Sequence, residues 1–174
     1  MTLDKVLIPA AISSWEQVVS RVGTLCLSCT EEQLLVEVAP GKNRIIYLWG
    51  HLTAIHDAMF NVLRLGERLH PELDAVFIAR PDRSMPLPTS AGIARSWESI
   101  HTELRLRFTA LSPNDWLERH GNVSAEEFER NPTRNRLAVL LSRTNHASYH
   151  FGQMMWQNQR HRESLSQRYS RGTR

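Results

Sequence analysis

The chain has 174 residues, 41% of them hydrophobic, with 21 basic and 18 acidic side chains and a formal net charge of +3. That length and apolar content suit one domain with a packed core and argue against a disordered chain. The basic excess sits after Gln159, where Arg160, Arg162, Arg168, Arg171 and Arg174 stand against one acid, Glu163. The body is near neutral, and no nucleic-acid-binding face is expected.

The N-terminal apolar run, Val6 to Ile12, is short, has no basic front and is followed by no clean cleavage site. No segment is apolar for long enough to span a membrane. The expected location is the cytoplasm, where Cys26 and Cys29 would not form a structural disulfide.

The first helix is predicted from about Ser14 to Cys29, with Ser13 or Ser14 as N-cap. Thr30-Glu31-Glu32-Gln33 reads as a capped turn, and Pro40-Gly41 breaks the chain. The second helix is predicted from Asn43, its N-cap, to about Leu65, with Gly66 as its stop. Glu67 to Pro88 holds Pro71, Pro81, Pro86 and Pro88 and is expected to be a long irregular connection. The third helix runs from Thr89 or Ser90 to Leu111. Asp115 to His120 is expected to form a turn, and Ser124-Ala125-Glu126-Glu127 a capped one. The fourth helix is predicted from Pro132-Thr133 to about Arg160. The expected organisation is one domain over residues 1–162 and a polar basic tail over 163–174.

Nothing in this pattern supports a sheet. The fold class is all-α: a four-helix bundle with a long crossover connection between the second and third helices. The expected core stripes are Ile45, Leu48, Leu52, Ile55, Met59 and Leu63 on the second helix. On the fourth they are Leu137, Leu140, Leu141, Thr144, Phe151 and Met155.

The chemistry lies in the histidines. His146 and His150 are one helical turn apart, about 40° on the wheel and about 6 Å along the axis. Two imidazoles so placed can reach one metal ion at about 2.0–2.1 Å. His51 occupies the matching border of the apolar arc on the second helix, with Tyr47 one turn before it. Three neutral imidazoles leave coordination positions open to water or substrate. The predicted metal ligands are therefore His51, His146 and His150; catalytic residues are not assigned. The chain has eight histidines, and pairs at this spacing also arise by chance. Ala147-Ser148-Tyr149 between the pair excludes the HExxH protease pattern. His56 faces the middle of the apolar arc and reads as a hydrogen-bonded core histidine, with outer-sphere support or a fourth ligand as alternatives. His70, His101, His120 and His161 carry no pattern. Cys26 and Cys29 fall at a helix end and read as packing, not redox chemistry. Trp49, Trp97 and Trp156 read as core or dimer contacts.

Two segments resemble the DinB/YfiT-like superfamily of metal-binding four-helix proteins. Ala39-Pro40-Gly41-Lys42-Asn43-Arg44-Ile45-Ile46-Tyr47-Leu48-Trp49-Gly50-His51 resembles that family's entry to its second helix, ending at its first metal histidine. Asn145-His146-Ala147-Ser148-Tyr149-His150-Phe151-Gly152-Gln153 resembles its fourth-helix motif, two metal histidines followed by Gly-Gln. The Glu31-Glu32-Gln33-Leu34 turn and the long crossover also fit, and the likeness covers roughly Trp15 to Trp156. It implies a three-histidine site for one divalent metal ion, frequent homodimers, and thiol S-transferase or isomerase relatives that use low-molecular-weight thiols. One position departs: the acidic residue common five places after the first histidine is His56 here, with Asp57 next.

Three functions follow as expectations. The first is a metal-dependent S-transferase in which zinc, nickel or iron(II) binds a low-molecular-weight thiol and holds it as thiolate. Its electrophilic small-molecule substrate would enter under the Glu67–Pro88 loop. The second is a metal-dependent hydrolase, for which Asp57 and Glu98 are the only candidate bases. The third is a non-enzymatic metal-binding or stress-response module.

Overall fold

The computed structural model describes residues 4–172, with side chains between residues 6 and 159. Its long helices are α1 (Asp4–Ser28), α3 (Ile45–Asp57), α6 (Ser90–Ala110) and α9 (Arg136–Gly172). Short helices fill the connections: α2 (Glu31–Leu34), α4 (Met59–Val62), α5 (Asp74–Phe77), α7 (Pro113–Leu117) and α8 (Ala125–Arg130). Two isolated bridges, Glu37 with Arg44 and Arg119 with Asn135, are the extended pairings among the described residues. The all-α four-helix bundle is as expected. α1 packs along α9 and α3 along α6, and further contacts of α1 with α3 and α6 and of α3 with α9 close the bundle. Among the described residues, no helix is long and apolar enough to cross a membrane.

The caps expected at Thr30, Ser124 and Thr89 hold, Ser112 adds one, and Asn43 is not a cap: the second helix starts after Arg44 with no side-chain cap bond. Thr30, Ser112 and Ser124 each accept from the third backbone N–H of their short helix, and Gln33, Asp115 and Glu127 reach back to the cap. Thr89 caps α6. Several boundaries move. α1 starts at Asp4 and carries Pro9 inside it, so Ser13 and Ser14 are interior residues. The second helix pauses at Ala58 and ends at Val62. Leu65 N–H donates to Phe60 O at 2.7 Å and Arg64 N–H to Asn61 O at 3.1 Å, with Arg64 at φ 56°. That is the left-handed Schellman stop, made by an arginine two residues before the expected Gly66. α9 begins at Arg136, after Pro132, and continues to Gly172; the expected tail is helical in backbone over 163–172, while residues 173–174 lie outside the described residues.

Trp15, Trp49, Trp116, Phe60, Phe77 and Phe108 are essentially inaccessible and form the bulk of the core. Trp15 packs edge-on against Phe108 with ring centres 5.0 Å apart, and Phe108 against Trp116 at 5.1 Å. On α9 the buried line is Leu140, Thr144, Ala147, Met154 and Asn158, whereas Leu141, expected inside, is 46% exposed. The apolar stripe is rotated because α9 packs chiefly on α1.

The crossover between α4 and α6 is more ordered than expected. A 3₁₀ turn over Pro71–Leu73 leads into α5. Three anchors tie it to α3. Buried Asp57 accepts from Leu69 N–H at 2.9 Å, His70 N–H at 3.1 Å and Arg68 Nε at 2.8 Å, and Arg68 also clamps Asp74 through both terminal nitrogens at 2.6 Å. The Tyr47 hydroxyl donates to Arg80 O at 2.5 Å. Arg44 grips Asp82 through its backbone N–H at 2.8 Å and Nη2 at 2.6 Å. These anchors fix where the Phe77 carbonyl sits.

Candidate metal centre

The structure brings His51, His146 and His150 together: one ring nitrogen from each lies within 4.8 Å of the others. The ring centres are 5.2 Å apart for His51 and His146, 5.6 Å for His51 and His150, and 4.6 Å for His146 and His150. All three are half-buried at the border of core and solvent. Helical spacing places the α9 pair on one face, and the contact of α3 with α9 delivers His51 opposite them.

Two outer nitrogens are anchored on carbonyl oxygens. His51 Nδ1 lies 2.8 Å from Phe77 O, and His150 Nδ1 lies 2.8 Å from Gln153 Oε1. A carbonyl oxygen only accepts, so each Nδ1 carries the proton and each Nε2 presents a lone pair. Gln153 is held in turn by donating to the Tyr149 hydroxyl at 3.1 Å. His146 Nε2 approaches His150 Nε2 to 3.0 Å, and its own Nδ1 is buried without a partner among the described residues.

The electrostatics favour neutral rings. Burial first, then the nearby His150 and His51, lowers the His146 pKa to about 4. Burial also lowers His150, against the opposing hydrogen bond that its Nδ1 donates to Gln153. Neutral imidazole is the form that ligates a metal, so at neutral pH no proton need leave these two rings. Three half-buried imidazoles with convergent nitrogens, two already oriented from behind, could hold one divalent metal ion.

Gly50 shapes this site from one residue away. A Cβ there would meet the Phe77 ring at 2.1 Å. Only glycine lets that ring lie against α3, and the ring's own residue supplies the carbonyl that orients His51. Neither Phe77 nor Gly50 is expected from the sequence to serve the site. A backbone carbonyl leaves no side-chain signal; a glycine interrupting an apolar helix does, because it costs about 1 kcal/mol there and calls for a packing reason.

His56 is a core histidine, as expected. It is fully buried, with Nδ1 2.6 Å from His101 Nε2. His101, unassigned from sequence, is buried too, and its Nδ1 lies 2.6 Å from Trp97 O. Neither ring belongs to the three-nitrogen cluster. Asp57 cannot serve as a base, since it is inaccessible and committed to three donors. Glu98 lines a different groove, with Trp97, His101 and Arg105. Cys26 is buried, and burial raises its thiol pKa, helped by Cys29; it is a poor nucleophile. Trp49 and Trp97 are in the core, but Trp156 is 63% exposed.

Trp156 belongs to a groove of about 640 Å³ beside His150, walled by the Val38–Asn43 loop, Tyr149 and Gln153. Among the described residues, Lys42 is its one charged residue. Arg83 to Pro88, the end of the proline-rich loop, border another groove with Glu31 and Arg44.

No curated protein matches the chain. The DinB superfamily profile matches residues 14–154, which include all three clustered histidines. This chain belongs to the DinB superfamily.

Proposed function

We propose that this protein is a divalent-metal-dependent enzyme that joins a low-molecular-weight thiol to an electrophilic small molecule. The observation that supports the reading most is the donor set: three imidazoles bring ring nitrogens within 4.8 Å of one another, and among the described residues no carboxylate lines the adjacent groove. Borderline metals such as zinc, nickel and iron(II) accept imidazole, leave positions free on three ligands, and stabilise a bound thiol as thiolate near neutral pH. A hydrolase would want a base beside the metal-bound water, and both candidate acids lie elsewhere.

The chain's own residues then position reactants. Phe77 O and Gln153 fix the faces of His51 and His150. Lys42 offers a positive charge to a carboxylate on thiol or electrophile, and Trp156 and Tyr149 offer exposed rings to an apolar portion. The thiol proton would pass to solvent through the open groove, the sulfur lone pair would form the new bond to carbon, and the electrophile's leaving group would depart into the groove with the electron pair of the carbon bond that breaks.

Elemental analysis of purified protein tests the reading, with His146→Ala/His150→Ala beside wild type. About one equivalent of metal in wild type and none in the double variant is expected. Thiol binding should then require the loaded protein. Wild type that takes up no zinc, nickel or iron(II) would overturn the proposal, and metal uptake without thiol binding would reduce it to a metal-binding module.

A further inference from the structure

Support for the three candidate ligands is uneven. His51 and His150 each have an acceptor behind Nδ1, whereas His146 Nδ1 is buried with no partner among the described residues. A second imidazole nitrogen shares that condition: His56 Nε2. Buried polar atoms without partners are rare and call for an explanation.

The protonation of the His56–His101 pair follows from its anchor. Trp97 O can only accept, so His101 Nδ1 carries the proton and its Nε2 holds a lone pair. The 2.6 Å contact to that lone pair must then come from His56 Nδ1–H. His56 Nε2 is left as an acceptor sealed in the core. If His146 ligates through Nε2, its Nδ1 keeps a proton and is a buried donor. One orphan is an acceptor and the other a donor. They project from α3 and α9, which are in contact, and a positive charge on His146 is one of those that would depress ionisation of His56.

We propose that His56, locked as an acceptor by His101, takes the Nδ1 proton of His146 through one enclosed water, since neither nitrogen has a hydrogen-bond partner among the described residues. The line Trp97 O, His101, His56, His146 thereby holds the His146 ring with Nε2 toward the metal. His56 is a positioning residue that completes the outer support already present behind His51 and His150. This inference rests on the metal reading above.

The test measures the zinc dissociation constant by chelator competition for wild type, His56→Leu and His56→Gln, each first checked for a cooperative melt. Leucine offers no acceptor; glutamine offers one, together with a donor for His101. Loss of such outer support typically weakens metal binding about 10–100-fold, and that is expected of His56→Leu, with His56→Gln retaining most of the affinity. In zinc-loaded wild type, ¹⁵N NMR should show His146 Nδ1 protonated, its proton protected from exchange, and that protection should vanish in His56→Leu. A purely structural role would lower the melting temperature and leave both readouts unchanged. Wild type that binds no zinc overturns the metal reading itself. Zinc binding by wild type with equal affinity in folded His56→Leu, or an unprotonated His146 Nδ1, overturns this inference alone.

Discussion

Adding one methyl group at Gly50 should weaken both the fold and the metal site. In Gly50→Ala the new carbon would lie 2.1, 2.2 and 2.7 Å from three atoms of the Phe77 ring. Relaxed carbon contacts start near 3.5 Å, so the overlap is about 1.4 Å. Phe77 is fully buried and has no free volume to enter. Overpacking of this kind costs about 1–3 kcal/mol, and full expulsion of the ring about 3–5 kcal/mol. Alanine returns about 1 kcal/mol of helix propensity. Because the ring has no room to yield, the net loss should be about 2–4 kcal/mol, or roughly 4–16 °C in Tm for a chain of this size. Because the Phe77 carbonyl moves with its ring, His51 should lose its anchor, with about a tenfold drop in zinc affinity. Thermal melts and chelator competition read the two effects. Gly50→Ala/Phe77→Leu, with a smaller side chain facing the methyl, should recover part of both. A Gly50→Ala protein that melts and binds zinc like wild type would refute the argument that glycine is needed for the Phe77 approach.

Two further outcomes follow from buried polar groups. His101 is held neutral with a pKa of about 3, chiefly by burial, and His56 is depressed for the same reason. The unfolded chain binds their protons below about pH 6.5 while the native state does not. Stability is therefore full above that pH and declines toward about pH 3, by about 1.4 kcal/mol per pH step for His101 alone; identical urea midpoints at pH 7 and pH 5 would contradict this. Asp57→Ala leaves the Arg68 guanidinium and two backbone N–H groups of the crossover without their acceptor. Breaking a buried pair from one side costs about 3–5 kcal/mol, so a Tm drop of roughly 10 °C is expected, and a melt within about 2 °C of wild type would show the anchor to be dispensable.

Local signals carried much of the fold into the sequence. Thr30, Thr89, Ser112 and Ser124 each mark a helix start because capping is settled within four residues. His51, His146 and His150 were legible because helical spacing and apolar borders are periodic properties. What depends on packing was not. Arg64 takes the left-handed stop that Gly66 suggested, since tertiary contacts outweigh the steric preference there. Leu141 is exposed because the facing helix, not the hydropathy of α9, decides which side is inside. Proline spacing marked the crossover as irregular, yet Asp57, Tyr47 and Arg44 order it from a distance. The pairing of His56 with His101 joins positions 45 residues apart, and no local pattern announces it.

The anchored crossover has a consequence for how the chain can change in length. From Asp57 to Asp82 it works as a fixed-length spacer, because both ends are tied to α3 and the carbonyl between them must meet His51. One residue added between Leu69 and Phe77 would pull that carbonyl out of register. Ser84, Met85 and Pro86 are exposed and lie beyond the last tie to α3. Lengthening the chain there costs little more than loop-closure entropy, about 0.6 kcal/mol for each doubling. Relatives that keep the three histidines should conserve the Asp57–Asp82 spacing and place their insertions between Arg83 and Pro88.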